Sequence, residues 1–235
     1  MTARRELSWA VLIPALVIPL LGSLVYFVWF PDGEIGRGAY TATKIFLLVY
    51  PLLFLRWIGL GGLTRREERP APWPSWKTVI WSGLGSGALI AGVGALLMLT
   101  PLGDLVRAGA GEVGEHADDL GFRRHFILFA VFLSVIHSGL EEFYWRWFVY
   151  GQIRRKCPRW AGHTIASVGF AAHHLVVTAQ FFPLALALFL TACVAVGGLI
   201  WTLMYERQGT LVGAWLSHFG VDVLLMVVGY QLLMR

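Results

Sequence analysis

Charge is scarce in this sequence. Asp, Glu, Lys and Arg make up 14% of its 235 residues, against about a quarter in soluble domains. That shortage excludes a disordered chain and an ordinary cytosolic enzyme. Cysteine is scarcer still: Cys157 lies in a basic loop and Cys193 deep in an apolar stretch. Two thiols on different segments offer neither a disulfide framework nor a cysteine-based metal motif, so both are read as bystanders. Internal repeats, low-complexity tracts and soluble linkers are also missing, and the run from Pro70 to Pro74 reads as a stiff loop. What fills the chain is apolar: 57% of the residues are hydrophobic, a further 27 are glycine, and the mean hydropathy is +0.66. At about 20 apolar residues per membrane crossing, the length allows roughly seven helices with short loops. A sizeable extramembrane domain has no room.

Apolar stretches run at 9–30, 39–60, 78–99, 125–152, 160–180, 181–205 and 210–234. The expected fold class is therefore all-α, a polytopic transmembrane bundle of about seven spans. The first stretch is too long for the apolar core of a signal peptide and lacks a small-residue cleavage site before Phe30. Basic residues fall unevenly between the two ends of these spans. Arg4, Arg5, Arg65, Arg66, Arg69, Lys77, Arg154, Arg155, Lys156, Arg159 and Arg207 share one side, and Arg37, Arg107, Arg123, Arg124 and Arg235 the other. The positive-inside bias then places the N-terminus in the cytoplasm and the C-terminus outside, in a cell (inner) membrane. The loop at 100–124, with Asp104, Glu112, Glu115, Asp118 and Asp119, becomes external. Lys44 and Arg56 are expected near the ends of span two, where they snorkel to headgroups. Gly83 and Gly87 are read as a close helix-packing face, and Trp9, Trp57 and Trp160 as interface anchors.

Three spans break the apolar rule. Span four carries His137, Glu141, Glu142 and Arg146; span five carries His173 and His174; span seven carries His218 and Asp222. Ionisable groups inside a membrane cost roughly 2.5–3.5 kcal/mol each on insertion scales, and they mark functional sites by default. Glu142 and Arg146 are four residues apart and can pair on one helix face, as can His137 with Glu141, and His218 with Asp222. At 1.5 Å per residue, Glu142 lies about 15 Å from the cytoplasmic end of its span, His174 about 21 Å, His218 about 12 Å and Asp222 about 18 Å. One buried polar site on three helices is geometrically consistent.

The motifs that carry these residues resemble a known family. Glu141-Glu142-x-x-x-Arg146, Phe170-x-x-x-His174 and His218-x-x-x-Asp222 are similar to the EExxxR, FxxxH and HxxxN/D motifs of the CPBP family (CAAX protease and bacteriocin-processing, or Abi). These are intramembrane endopeptidases of glutamic type. The similarity runs from about residue 125 to 234, which suggests a division into N-terminal helices over 1–124 and a catalytic core over 125–235. The resemblance implies that Glu141 and His174 activate water, and that His218 and Asp222 stabilise the oxyanion.

The residues themselves give a matching chemistry. Two adjacent carboxylates in a poor dielectric cannot both ionise cheaply. Arg146 should hold Glu142 ionised, which leaves Glu141 as the general base. Ionised Asp222 has no donor to offer an oxyanion, so it either stays protonated or orients His218, the cheaper arrangement. His137 and His173 are placed in support, able to tune Glu141 or to face a neighbouring helix. His116, His125 and His163 are read as interface or loop residues. No cofactor is expected, although two histidines with carboxylates leave a catalytic zinc open; no His-Glu-x-x-His is present and Arg146 would repel a cation.

Other intramembrane proteases fit worse. No Gly-x-Gly-Asp is present, and Ser138-Gly139 lacks the preceding Gly-x of a rhomboid motif. The expected function is hydrolysis of a peptide bond in a membrane-associated or lipidated polypeptide. The expected partners are that polypeptide and the lipid bilayer, with no nucleic acid. The alternatives are a non-catalytic peptide-binding immunity or regulatory membrane protein and, third, a proton-coupled transporter.

Overall fold

The computed structural model describes residues 7–31, 33–54, 74–109, 111, 113–114 and 123–233. Arg4, Arg5, Arg56, Trp57, Arg65, Arg66, Arg69, Glu112, Glu115, His116, Asp118, Asp119, Arg235 and most of the Pro70–Pro74 loop lie outside the described residues. Among the described residues eight helices follow one another: α1 (Trp9–Leu24, prolonged by a π-helical turn at Val25–Trp29), α2 (Glu34–Leu53), α3 (Trp76–Leu97), α4 (Pro101–Ala108), α5 (Phe126–Lys156), α6 (Arg159–Phe181), α7 (Leu184–Gln208) and α8 (Val212–Leu233). Among the described residues there is no strand.

An all-helical answer is what a hydrocarbon solvent demands, because every backbone polar group must be satisfied within its own segment. The helix ends follow from local chemistry. Ser75 caps α3 by accepting from the Thr78 amide at 3.2 Å. Thr100 caps the short α4, with Pro101 at its first position. Pro158 and Pro183 stand immediately before α6 and α7, where a missing amide hydrogen costs nothing. Gly209 ends α7 at φ 67°, the left-handed geometry that glycine adopts without penalty.

Among the described residues five helices are long and apolar enough to cross a membrane: α1 with its π turn, α3, α5, α7 and α8. Two more, α2 and α6, have 20 and 23 residues but are more polar. The first carries Glu34, Arg37 and Lys44, and the second His163, His173 and His174. The count of about seven spans is thus approximate. Lys44 departs from expectation: it sits midway along α2 rather than at an end, with its ammonium 5.1 Å from the ring centre of Tyr40.

Polarity is turned inside out relative to a soluble domain. Large apolar side chains such as Ile127, Leu128, Trp81 and Leu89 are exposed, as a lipid-facing surface requires. Trp9 and Trp160 are exposed near helix ends, as read from sequence, whereas Trp145, Trp147 and Trp201 are buried. The interior is an aromatic cluster built on Tyr144, Trp145, Phe148, Phe170, Trp201 and Tyr205, with ionised groups set into it.

Three N-terminal helices brace this interior. Pro19 has no amide hydrogen to give to Ala15 one turn back, and the Tyr144 hydroxyl of α5 donates to that carbonyl at 2.7 Å. The Tyr50 hydroxyl of α2 donates to Val11 of α1 at 3.0 Å. The α3 glycines lie flat on α8: a Cβ at Gly83 would meet the Gly213 carbonyl at 2.7 Å, and one at Gly87 the Ser217 carbonyl at 2.8 Å. The packing face read from Gly83 and Gly87 is therefore real, and its partner is the helix that carries His218.

Candidate active site

Helix α5 supplies both glutamates from a single regular turn, Ser138–Glu142, set between two π-helical stretches at Phe132–His137 and Phe143–Tyr150. Such wide turns concentrate at functional sites, and they leave carbonyls without their usual partners. Here Trp215 of α8 donates its indole N–H to the Val135 carbonyl at 3.0 Å. The Ser138 hydroxyl bonds back to Ser134 on its own helix. It does not point a nucleophile into the site.

At the bottom of the site lies a buried line of charge. Arg146 Nε is 3.1 Å from Glu142 Oε2, with both side chains wholly buried. The opposite carboxylate oxygen, Oε1, is 2.8 Å from Nδ1 of His218. The rest of the guanidinium rests on rings, its carbon 4.5 Å from the centre of Phe170 and 5.0 Å from that of Trp201. Among the described residues its terminal nitrogens have no hydrogen-bond partner, so the π faces stand in for oxygen acceptors. Breaking such a pair by removing one partner costs about 3–5 kcal/mol, because a bare buried charge remains.

Above this line sits Glu141, ringed by imidazoles. Its Oε1 is 3.2 Å from His137 Nε2 and 3.7 Å from His173 Nε2, and its Oε2 is 3.8 Å from His218 Nε2. His218 Nε2 is also 3.6 Å from Asp222 Oδ1. His174 approaches Phe170 with Nδ1 at 2.9 Å. A carbonyl only accepts, so Nδ1 carries the hydrogen and a neutral ring offers its Nε2 lone pair to the site. Accessibility rises outward: Glu142 and Arg146 are sealed, whereas 17% of the His137 side chain, 14% of His173 and 15% of Asp222 stay open.

The comparison with known proteins now meets this geometry. Residues 123–224 match the family model described as type II CAAX prenyl endopeptidase Rce1-like. The chain carries an Rce1-like domain of the CPBP family. Neither a curated protein nor a solved structure matches the chain. The Rce1-like domain contains every residue of the three motifs, and with the membrane-spanning helices it makes the chain an integral membrane protein with the domain of a CAAX-type intramembrane protease.

Within the Rce1-like domain, the structure gathers Glu141, Glu142, Arg146, His173, His174, His218 and Asp222 from α5, α6 and α8, with His137 one turn from Glu141. Two pairings were not readable from spacing. His173 Nε2 comes to 3.7 Å from Glu141, with His174 in the same cluster, and the nearest carboxylate to His218 is Glu142 on α5 rather than Asp222 one turn along α8. Trp201, stacked on His218 from α7, carried no signal beyond being one tryptophan among several.

Glu141, His173 and His174 present three ligand atoms all within 4.8 Å of one another. Open zinc sites use three protein ligands and a water, at about 2.0–2.2 Å from the metal for nitrogen and oxygen. The donor types fit, and the nearest cation, Arg146, is already paired with Glu142. These three residues could hold a divalent cation after a small contraction.

The structure corrects the reading of His163 as an interface residue. It is fully buried in a second polar cluster that joins α5, α6 and α7. Glu206 is its centre, accepting from Tyr150 at 2.9 Å, from Arg154 at 3.3 Å and from Arg159 at 2.7 Å, with His163 Nε2 at 3.2 Å. His125 lies exposed in a turn, as expected of a loop residue. Cys157 and Cys193 are free.

Proposed function

We propose that this chain is a glutamate-dependent intramembrane endopeptidase that cleaves a membrane-associated or lipidated polypeptide. The observation that carries the reading is Glu141: a nearly buried carboxylate that, among the described residues, meets imidazole nitrogens at 3.2–3.8 Å, beside the Glu142–Arg146 ion pair.

The chemistry follows from those positions. Glu141 takes a proton from water as the water oxygen bonds to the scissile carbonyl carbon, with His174 Nε2 orienting that water. His218, its Nδ1–H given to Glu142, directs Nε2–H at the oxygen that gains charge. Asp222, 3.6 Å from that nitrogen, steadies the imidazole when it is cationic. The proton held by Glu141 passes to the amide nitrogen as the carbon–nitrogen bond breaks, leaving a carboxylate and an amine. A divalent ion held by Glu141, His173 and His174 would supply a more acidic water, and no step above depends on one.

The charge bias across the spans supports a cytoplasmic N-terminus and a site open towards the cytoplasmic half of the bilayer. The test compares protein termini in membrane fractions from cells expressing wild type or Glu141→Gln at equal levels. A farnesylated peptide with a CAAX ending serves as the first defined substrate. Termini made by the wild type alone support the reading. Identical sets, with no cleavage of the peptide, would replace protease by peptide binder.

A further inference from the structure

Helix α7 bears none of the three motifs, yet it puts one side chain directly on the site. We propose that Trp201 is a positioning residue for His218, its indole face setting the imidazole plane so that Nε2 is delivered between Glu141 and Asp222. The proposal rests on the proteolytic reading for its kinetic consequence, and on geometry alone for the contact.

Two constraints fix a histidine ring. The bond from Nδ1 to Glu142 at 2.8 Å locates one nitrogen, but a single hydrogen bond still tolerates tilting of the ring plane about that contact. A flat contact removes that freedom. The rings of Trp201 and His218 lie 4.0 Å apart between centres and 15° from parallel. The indole is itself held: its N–H donates to the Ser217 hydroxyl at 3.0 Å, inside a contact where both groups are buried. Ser217 immediately precedes His218, so one side chain of α7 grips α8 at two neighbouring positions.

The same indole carries the Arg146 guanidinium near its face at 5.0 Å, and Phe170 meets Trp201 and His218 edge-on, at 6.0 Å in each case. Trp201 thus touches both partners of Glu142, the arginine below and the histidine above. An aromatic face also favours a cation resting on it, so it suits His218 when the ring gains a proton. Trp201 is 4% exposed, unlike the tryptophans at the helix ends.

The test uses the full chain in nanodiscs, with histidine-labelled NMR spectra and His218→Gln to assign the resonance. Stacking holds the His218 ring proton upfield in the wild type. In Trp201→Leu it should move downfield, and in Trp201→Phe it should stay closer to the wild-type position. With the farnesylated peptide, Trp201→Leu should lower kcat by roughly tenfold to a hundredfold, the scale of a misplaced group, and leave KM unchanged. Trp201→Phe should recover most of that loss, although it lacks the Ser217 bond. In a His218→Ala background, Trp201→Leu should cost nothing more.

A His218 resonance unmoved in Trp201→Leu overturns the inference, as does a full additional loss in the double variant. If Trp201→Leu does not fold, a wild-type His218 ring proton that is not upfield overturns it alone. Peptide left uncut by the wild type counts against the proteolytic reading, and the NMR result then decides Trp201 independently.

Discussion

Two carboxylates in this molecule, Glu206 and Glu141, both sit among polar side chains of neighbouring helices and end in opposite conditions. Glu206 binds α5, α6 and α7 with contacts of 2.7–3.3 Å from a phenol, two guanidinium groups and an imidazole. Its oxygens are saturated, and nothing in that geometry waits for a reactant. Glu141 has one contact at 3.2 Å and two at 3.7 and 3.8 Å, all to histidines that can gain or lose a proton. Structural polar clusters satisfy their members. Glu141 is held more loosely than Glu206, by fewer and longer contacts.

That contrast can be broken from either side. Glu141→Gln should abolish cleavage, a loss of about a thousandfold or more if it is the base, with the melting temperature in nanodiscs nearly unchanged. Loss of fold instead of activity would make Glu141 as structural as Glu206. Arg146→Leu should remove about 3–5 kcal/mol of stability by stranding Glu142, read by thermal melting, and Arg146→Leu with Glu142→Gln should recover part of it. Glu206→Gln should cost about 1–3 kcal/mol for the donors left short of an acceptor, while turnover of the defined peptide stays within a few-fold of wild type. A turnover as low as that of Glu141→Gln would join the two clusters into one machine.

The smallest effect sharpens the comparison through packing. Gly87→Ala places a methyl against the Ser217 backbone and should cost about 1–3 kcal/mol as an overpacked contact. Because Ser217 adjoins His218, turnover should fall as well, whereas an alanine at Gly85, where a Cβ meets nothing, should leave both unchanged. Peptide turnover and melting of the two variants side by side distinguish them.

Much of the site was legible because intramembrane charge is so costly. Glu141, Glu142, Arg146, His174, His218 and Asp222 stood out as the polar residues of three apolar spans, and the pair Glu142–Arg146 followed from helical spacing alone. Less was legible where spacing gives no answer. His173 and His174 differ by about 100° around one helix, and only the packing of α5 against α6 shows both drawn into one cluster with Glu141, His173 at 3.7 Å. His163 looked like a residue at a span end, and burial against Glu206 of α7 made it part of a lock.

The sequence by itself determined the solvent, the helices and the local pairs. A chain this apolar must satisfy its backbone within helices, prolines and Gly209 mark where several of them begin and end, and residues four apart on one helix are neighbours in any fold that keeps the helix. Tertiary structure alone decided the pairs between helices: Glu142 with His218, Trp201 against the same imidazole, Tyr144 on the carbonyl that Pro19 frees, and Gly87 under Ser217. These contacts depend on how helices rotate and slide against each other. That is settled by the shapes of all their side chains together, and no local spacing records it.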